Sequence, residues 1–359
     1  MMISKTVIGL MSGSSLDGID LCCVHFYESE KQLKYGWIKG NTYPITSSLK
    51  SALKEASESD KRHGSSLDRS FSEFALECLE TFLKELDVKV DLISSHGHTV
   101  RHEPENKISV QIGDGAYWAK KLGLPVVYDF RTDDVILGGQ GAPLVPIGDI
   151  TLFKEFEYCL NLGGISNFSY QNNGRVIACD ISMCNTPLNE LAQRLGKEYD
   201  KGGSIAESGV LIPSLFDSLN DLEYYGLASP KSLDKAWYLN QMQPLFDRGS
   251  CSTADLLNTS CEHIGYQIAQ SINLSNSSST LSKVLVTGGG AYNHYLISRI
   301  EKYLNPTFKL IIPEPYLIEY KEAIIFALMG WLRINSKTNI LSSVTGSEKD
   351  TSSGKIAAI

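Results

Sequence analysis

Gly9-Leu10-Met11-Ser12-Gly13-Ser14-Ser15-Leu16-Asp17-Gly18-Ile19-Asp20 is flanked by β-branched and apolar runs at residues 5–10 and 19–26. Apolar runs broken by a cluster of small residues read as strand, turn, strand. Ser12, Gly13, Ser14, Ser15 and Gly18 carry little or no side chain, so backbone N–H groups there can converge on an anion. A plain hairpin turn is the other reading of this segment. The plan then recurs. Residues 158–162 form an apolar run, Gly163-Gly164 breaks it, residues 165–170 resume it, and Asn173-Gly174 turns it into residues 175–179.

Outward from these two units, strands and helices alternate. Leu67, Phe71, Phe74, Cys78, Leu79, Phe82 and Leu86 recur at spacings of three and four, which predicts a helix with one buried face. A strand follows at 90–94. Asp114 reads as the cap of a helix ending at Gly123, and Pro125 precedes a strand at 126–130. In the second half a helix is expected over 187–195, capped by Asn185 or Thr186 and stopped by Gly196. Another covers 261–274, and a strand at 283–287 leads into Gly288-Gly289-Gly290. Helices at 293–304 and 319–334 complete the plan. The alternation predicts an α/β fold of two similar lobes, 1–147 and 148–335, with a tail at 336–359 returning to the first.

Composition narrows the class. The chain has 359 residues, long enough for two domains, and its 42% hydrophobic and 21% charged content is that of a globular protein. Its 33 basic against 41 acidic residues give a charge of −8, which argues against nucleic acid as a partner. No run approaches the roughly 20 apolar residues of a spanning helix, and the start has no secretory signature, so no membrane role and a cytoplasmic location are expected. The eight cysteines form no C-x-x-C pair and read as reduced core thiols. His96, His98 and His102 lack matching metal-ligand spacing.

Neither the P-loop pattern nor the dinucleotide G-x-G-x-x-G occurs. The three glycine breaks at strand ends instead favour a nucleotide held by turns, with Gly288-Gly289-Gly290 offering a flat surface to a base or ribose. Asp17 and Asp20 are candidate carboxylates for Mg²⁺, directly or through water.

The opening stretch resembles the signature of the anhydro-N-acetylmuramic acid kinases, of the acetate and sugar kinase, heat-shock chaperone and actin superfamily. The resemblance continues through Ser95-His96-Gly97, residues 99–104, 110–113, Asp129-Phe130-Arg131, 138–146, 161–167 and 287–293. It implies two ribonuclease-H-like lobes around a central nucleotide cleft, an actin-like ATPase architecture. It also implies a reaction in peptidoglycan recycling, in which ATP and water open the 1,6-anhydro ring of a muramic acid sugar and leave a 6-phosphate.

By the same resemblance Asp180 is the base that deprotonates water. ATP is expected at Gly13, Ser14, Ser15, Leu16, Asp17, Gly18, Ile19 and Asp20, at Gly163, Gly164 and Asn167, and at Gly288, Gly289 and Gly290. Ser95, His96, Gly97, Thr99, Arg131, Gln140 and Gly141 are expected to line the sugar pocket, with Arg131 or Arg101 suited to the lactyl carboxylate. Asp180 should stand at the end of its strand.

The chain also departs from the family pattern. Asp180-Ile181-Ser182-Met183-Cys184-Asn185 stands where Asp-x-Gly-Pro-Gly-Asn is usual, Ser14 replaces Thr, and His98 replaces Gln. Residues 233–238 stand where Thr-Gly-Arg-Glu is typical. An actin-like or chaperone-like ATPase, a ligand-sensing pseudokinase, and another sugar or acetate kinase are the alternative readings. A homodimer is the default assembly.

Overall fold

The computed structural model describes residues 4–13, 16–30, 32–58, 65–228, 231–247, 251–275 and 281–358, which leaves Ser14 and Ser15 of the first turn outside the described residues. The chain divides into two compact units, Met1–Phe153 with Tyr320–Ile359, and Lys154–Glu319.

In the first unit, β1 (Lys5–Met11), β2 (Gly18–Ser29) and β3 (Gln32–Pro44) form an antiparallel meander. β4 (Leu92–Ser95) runs parallel to β1. β5 (His98–Glu103) and β6 (Ile108–Ile112) pair separately as a small ribbon, and β7 (Val126–Tyr128) runs parallel to β4. In the second unit β8 (Tyr158–Leu162), β9 (Ile165–Asn172) and β10 (Arg175–Met183) repeat the meander. β11 (Ser282–Thr287) and β12 (Phe308–Ile311) extend it in parallel from β8. β13 (Lys355–Ala357) returns to the first unit, antiparallel to β7. Both sheets therefore share one order, third–second–first–fourth–fifth strand, and the first adds β13 at its edge.

Each unit has its own core. One is built on Ile8, Leu10, Phe71, Leu79, Ile93 and Trp118, the other on Leu160, Leu162, Leu257, Ile264, Val286 and Ile300. The helix Ser65–Lys84 buries Phe71, Ala75, Cys78, Leu79 and Phe82, the face its spacing predicts. Asp114 accepts from Ala116 N and Tyr117 N, and Gly123 at φ +64° closes that helix. Seven of the eight cysteines are buried and free; Cys251 is exposed.

Several elements depart from expectation. β3 was not foreseen, because as an edge strand it mixes Lys34, Lys39 and Asn41 with Tyr35 and Trp37, and only a part-buried surface results. The helix after β10 begins at Asn185 instead of being capped by it, since the Asn185 side chain donates to Leu162 O at 2.9 Å. The long helix Thr253–Ser275 starts eight residues before the expected position. The expected lobe boundary at 335 and the division at 319/320 differ by most of the helix Pro315–Ile334. From Tyr320 onward this helix packs on the first sheet: Phe326 lies 4.7 Å from the His96 ring and Trp331 6.1 Å from Phe26. No helix among the described residues is long and apolar enough to cross a membrane.

Candidate functional site

The first unit carries two neighbouring groups of candidate residues. At the turn between β1 and β2, Ser12 is buried and its Oγ lies 3.0 Å from His98 Nδ1. Burial, opposed by a hydrogen bond with the Ser12 backbone, lowers the His98 imidazole to about 4, so it stands neutral beside the turn. Leu16 takes φ +57° and donates its N–H to Gly13 O. A Cβ on Gly18 would lie 2.6 Å from Thr42 Cγ2 and 2.9 Å from Tyr43 O, so close pairing of β2 with β3 there requires glycine. Ile19 is wholly buried, paired with Tyr43 in the β2–β3 ladder, and presents no surface to a ligand.

The two candidate metal carboxylates differ. Asp17 is 75% exposed, 3.7 Å from Lys50 Nζ. Asp20 is part-buried and accepts from Thr42 Oγ1 at 2.7 Å. Glu322, unforeseen from sequence, keeps solvent contact. Its carboxyl is nevertheless raised, first by desolvation and then, against the pull of Lys321, by the charge of Asp20. Among the described residues no group of three or more His, Cys, Asp or Glu is arranged for a metal ion.

The expected sugar residues assemble at the ends of β4 and β7. Gly97, at φ +69°, donates its N–H to Ser95 Oγ at 2.9 Å, and a Cβ there would collide with Ile112 O. Arg131 donates to His96 Nε2 from both Nε (3.1 Å) and Nη2 (2.9 Å), and to Gly141 O from Nη1 at 2.6 Å. Because Nε2 must accept from a guanidinium, Nδ1 holds the His96 proton and donates it to Gly97 O at 3.0 Å. Desolvation, reinforced by the Arg131 charge, keeps this imidazole far below its ordinary range.

Burial likewise brings Arg131 down to about 10. Arg101 instead spends its fork on Glu103, at 2.7 and 2.9 Å, which leaves Arg131 the better of the two for a sugar carboxylate. Gly141 N donates to the buried Asp134, and exposed Gln140 is held by its backbone N–H on Thr345 O. Thr99 Oγ1 accepts from Gln111 Nε2 at 3.4 Å and has no hydrogen bond to Arg131 or His96 among the described residues. A cavity of about 150 Å³ opens among His96, Gly97, Gln111, Asp129 and Lys355.

The second unit brings its own candidates together through strand pairing. Register places Thr287, Asn161, Asn167 and Asp180 in one row across β11, β8, β9 and β10, so these four polar side chains share a sheet face. At the end of β8, Gly163 O and Gly164 O accept from Asn185 N and Cys184 N at 3.0 and 2.8 Å. Gly288, at φ +81°, and Gly290 lie against Leu162. A Cβ on either would meet it at 2.9 and 2.6 Å, so the Gly288–Gly290 turn rests on the end of β8, just before Gly163.

Asp180 does not end its strand. β10 runs on to Met183 through a bulge, with Asp180 opposite Asn167 and Ser182 opposite Ser166, which leaves Ile181 as the extra residue. Asp180 Oδ2 accepts from Leu233 N at 2.9 Å, and no partner for Oδ1 is found among the described residues. Desolvation raises this carboxyl above the ordinary aspartate value, and the Leu233 hydrogen bond pulls the other way. Its backbone is pinned too: N–H donates to Lys231 O, and Tyr224 Oη donates to Asp180 O at 2.7 Å.

Sequence reasoning missed Asn161, Tyr224, Leu233 and Glu322. Only Asn161, an isolated polar residue in an apolar run, left a readable signal.

A family model described as anhydro-N-acetylmuramic acid kinase matches residues 5–358. A protein of that name from Actinobacillus pleuropneumoniae is 32% identical over 99% of both chains. Another from Shewanella baltica is 34% identical over 96% of both. Among solved structures, component A of the (R)-2-hydroxyglutaryl-CoA dehydratase of Acidaminococcus fermentans overlaps 92% of this chain and 99% of its own, with a TM-score of 0.48 and 11% identity.

Proposed function

The chain belongs to the anhydro-N-acetylmuramic acid kinase family, and from that premise we propose that it uses ATP and water to open 1,6-anhydro-N-acetylmuramic acid, leaving the phosphate on O6. The observation that carries the reading is Asp180, a carboxylate with one oxygen anchored by Leu233 N–H and the other open. Its raised proton affinity suits a base that must take a proton from water near neutral pH.

In the proposed reaction the water oxygen bonds to the anomeric carbon on the face opposite O6, and its proton passes to Asp180 Oδ1. The C1–O6 bond breaks. O6 takes the γ-phosphoryl group as the bond from γ-phosphorus to ADP breaks, so no separate acid is needed to protonate the leaving oxygen. N-acetylmuramic acid 6-phosphate and ADP result, and Asp180 later releases its proton to solvent.

The remaining residues take positioning roles. Within the first unit, Gly13, Leu16, Asp17, Gly18 and Asp20 are the phosphate residues; within the second, Gly163, Gly164 and Asn167 are. Gly288, Gly289 and Gly290 receive the adenosine. Arg131, held by His96 and Gly141, receives the lactyl carboxylate with guanidinium N–H groups left over from those contacts.

Mg²⁺ would neutralise charge on the triphosphate. Asp20 fits as its carboxylate, directly or through water, because it is a part-buried oxygen donor with the like charge of Glu322 in reach. Exposed Asp17 beside Lys50 fits less well. The cytoplasm, where ATP and recycled wall sugars meet, is the proposed setting.

The test is mass spectrometry of products formed in heavy-oxygen water and quenched early. Label should enter the sugar at C1 and be absent from the transferred phosphate, while Asp180→Asn lowers the rate by about a thousandfold. Labelled inorganic phosphate without sugar phosphate, or a wild-type rate in the variant, would overturn the reading.

A further inference from the structure

Beside the catalytic strand runs a file of hydrogen bonds that the reaction above does not use. Ser182, wholly buried just past the bulge, has its Oγ 2.9 Å from Met183 O and 3.2 Å from Tyr225 Oη. Tyr225 Oη lies 2.9 Å from His263 Nε2, and His263 Nδ1 lies 2.9 Å from Asn220 Oδ1. Gln267 Nε2 donates to that same oxygen at 2.7 Å.

The direction of the file follows from its far end. Asn220 Nδ2 donates to Phe216 O at 2.8 Å, so Asn220 Oδ1 faces the histidine as an acceptor. His263 Nδ1 therefore holds the ring proton, Nε2 accepts, and the Tyr225 hydroxyl donates to it. Tyr225 is left with a lone pair facing the Ser182 hydroxyl, whose single proton is shared between Tyr225 Oη at 3.2 Å and Met183 O at 2.9 Å. His263 is fully buried, and burial lowers it to about 3, so the ring stays neutral and this polarity holds across the working pH range.

Four side chains on four elements are thus linked in series to β10: Ser182 itself, Tyr225 of the helix Glu223–Gly226, His263 of the helix Thr253–Ser275 and Asn220 of the helix Pro213–Asn220. A bulge needs such pins, because its extra residue drops out of the ladder that would otherwise fix the strand. Every side chain of the file has a hydrogen-bond partner within it, and such a buried polar network rigidifies its surroundings. Tyr224, adjacent to Tyr225, holds the other side of the bulge through Asp180 O.

We propose that Ser182, Tyr225, His263 and Asn220 act as one positioning unit that sets the β10 bulge and thereby the reach of the Asp180 carboxylate. The inference rests on Asp180 being the base. It gives Ser182, which stands where glycine was expected, a purpose of its own: its hydroxyl is the handle by which the helices grip the strand.

The test uses the full-length enzyme with MgATP and anhydromuramic acid. Tyr225→Phe keeps the ring and removes the link. It should lower kcat about tenfold while both KM values stay within about twofold, since a displaced base harms the transition state and not substrate binding. Ser182→Ala should match it, and the double variant should fall no further than either single one. His263→Gln, whose amide oxygen can accept from Tyr225, should retain more activity than His263→Leu.

A Tyr225→Phe enzyme that melts lower yet turns over at the wild-type rate overturns the proposal, as do strictly additive losses. If Tyr225→Phe does not fold, the Ser182→Ala rate decides in the same way. Loss of activity in Asp180→Asn with full activity in Tyr225→Phe sinks this inference alone; full activity in Asp180→Asn sinks the base assignment beneath it.

Discussion

Asp180 and Arg131 show how the same physical effect, removal from water, serves opposite ends of a reaction. Burial makes the carboxylate hold a proton more readily and the guanidinium, at about 10, hold it less readily while still charged near neutrality. For Asp180 the sign is direct: the base works only when ionised, so kcat/KM must fall as pH drops through its folded pKa. That pKa lies above the ordinary 3.8, and the acid limb of a pH–rate profile should lie above the ordinary aspartate range and vanish in Asp180→Asn. Arg131 is fixed by three hydrogen bonds in one plane, which a lysine ammonium cannot reproduce. Arg131→Lys should therefore raise the KM for sugar about tenfold and leave the KM for ATP nearly unchanged, measured by varying each substrate at saturation of the other.

Among the elements, the contact between β1 and the helix Pro315–Ile334 sets the tightest constraint. A Cβ at Gly9 would collide with the backbone at Ala323 and lie 3.1 Å from Ala327 Cβ, so the helix rests directly on the strand that leads into the first turn. Gly9→Ala should cost ~2–4 kcal/mol in urea unfolding and lower activity by moving that turn; a stability equal to wild type would show that the helix can retreat. This constraint also marks the boundary of what could be read from sequence. Turn residues were legible because their chemistry is local: Asn173 and Gly174 take φ +50° and +78°, the left-handed pair that such a hairpin needs. The helix face from Phe71 to Phe82 was legible from its period. The extension of β10 past Asp180 was not, because a bulge follows from pairing with Ser166 and Asn167 and leaves no pattern in the strand itself. Leu233 was equally hidden, for it serves through a backbone N–H that any residue would carry.

At the scale of the whole molecule, the repeated strand order in two sheets gives physical form to the duplicated strand–turn–strand plan in the sequence. The chain leaves the first unit at Phe153, completes the second, and returns at Tyr320, so the two halves differ in autonomy. Residues 154–319 are continuous and hold an entire core of their own, including both helices that carry His263 and Tyr225. Residues 1–153 lack the helix that covers β1 and β4, where Ser94 Oγ donates to Phe326 O, and lack the edge strand β13 on β7. Expressed alone, 154–319 should give a cooperative thermal transition and dispersed amide resonances without turning over sugar. The fragment 1–153 should not fold, because buried faces of two of its strands would be open to water. Cooperative folding of 1–153 would mean that the returning helix contributes little to the first core, contrary to the packing of Phe326 against His96 and Phe130.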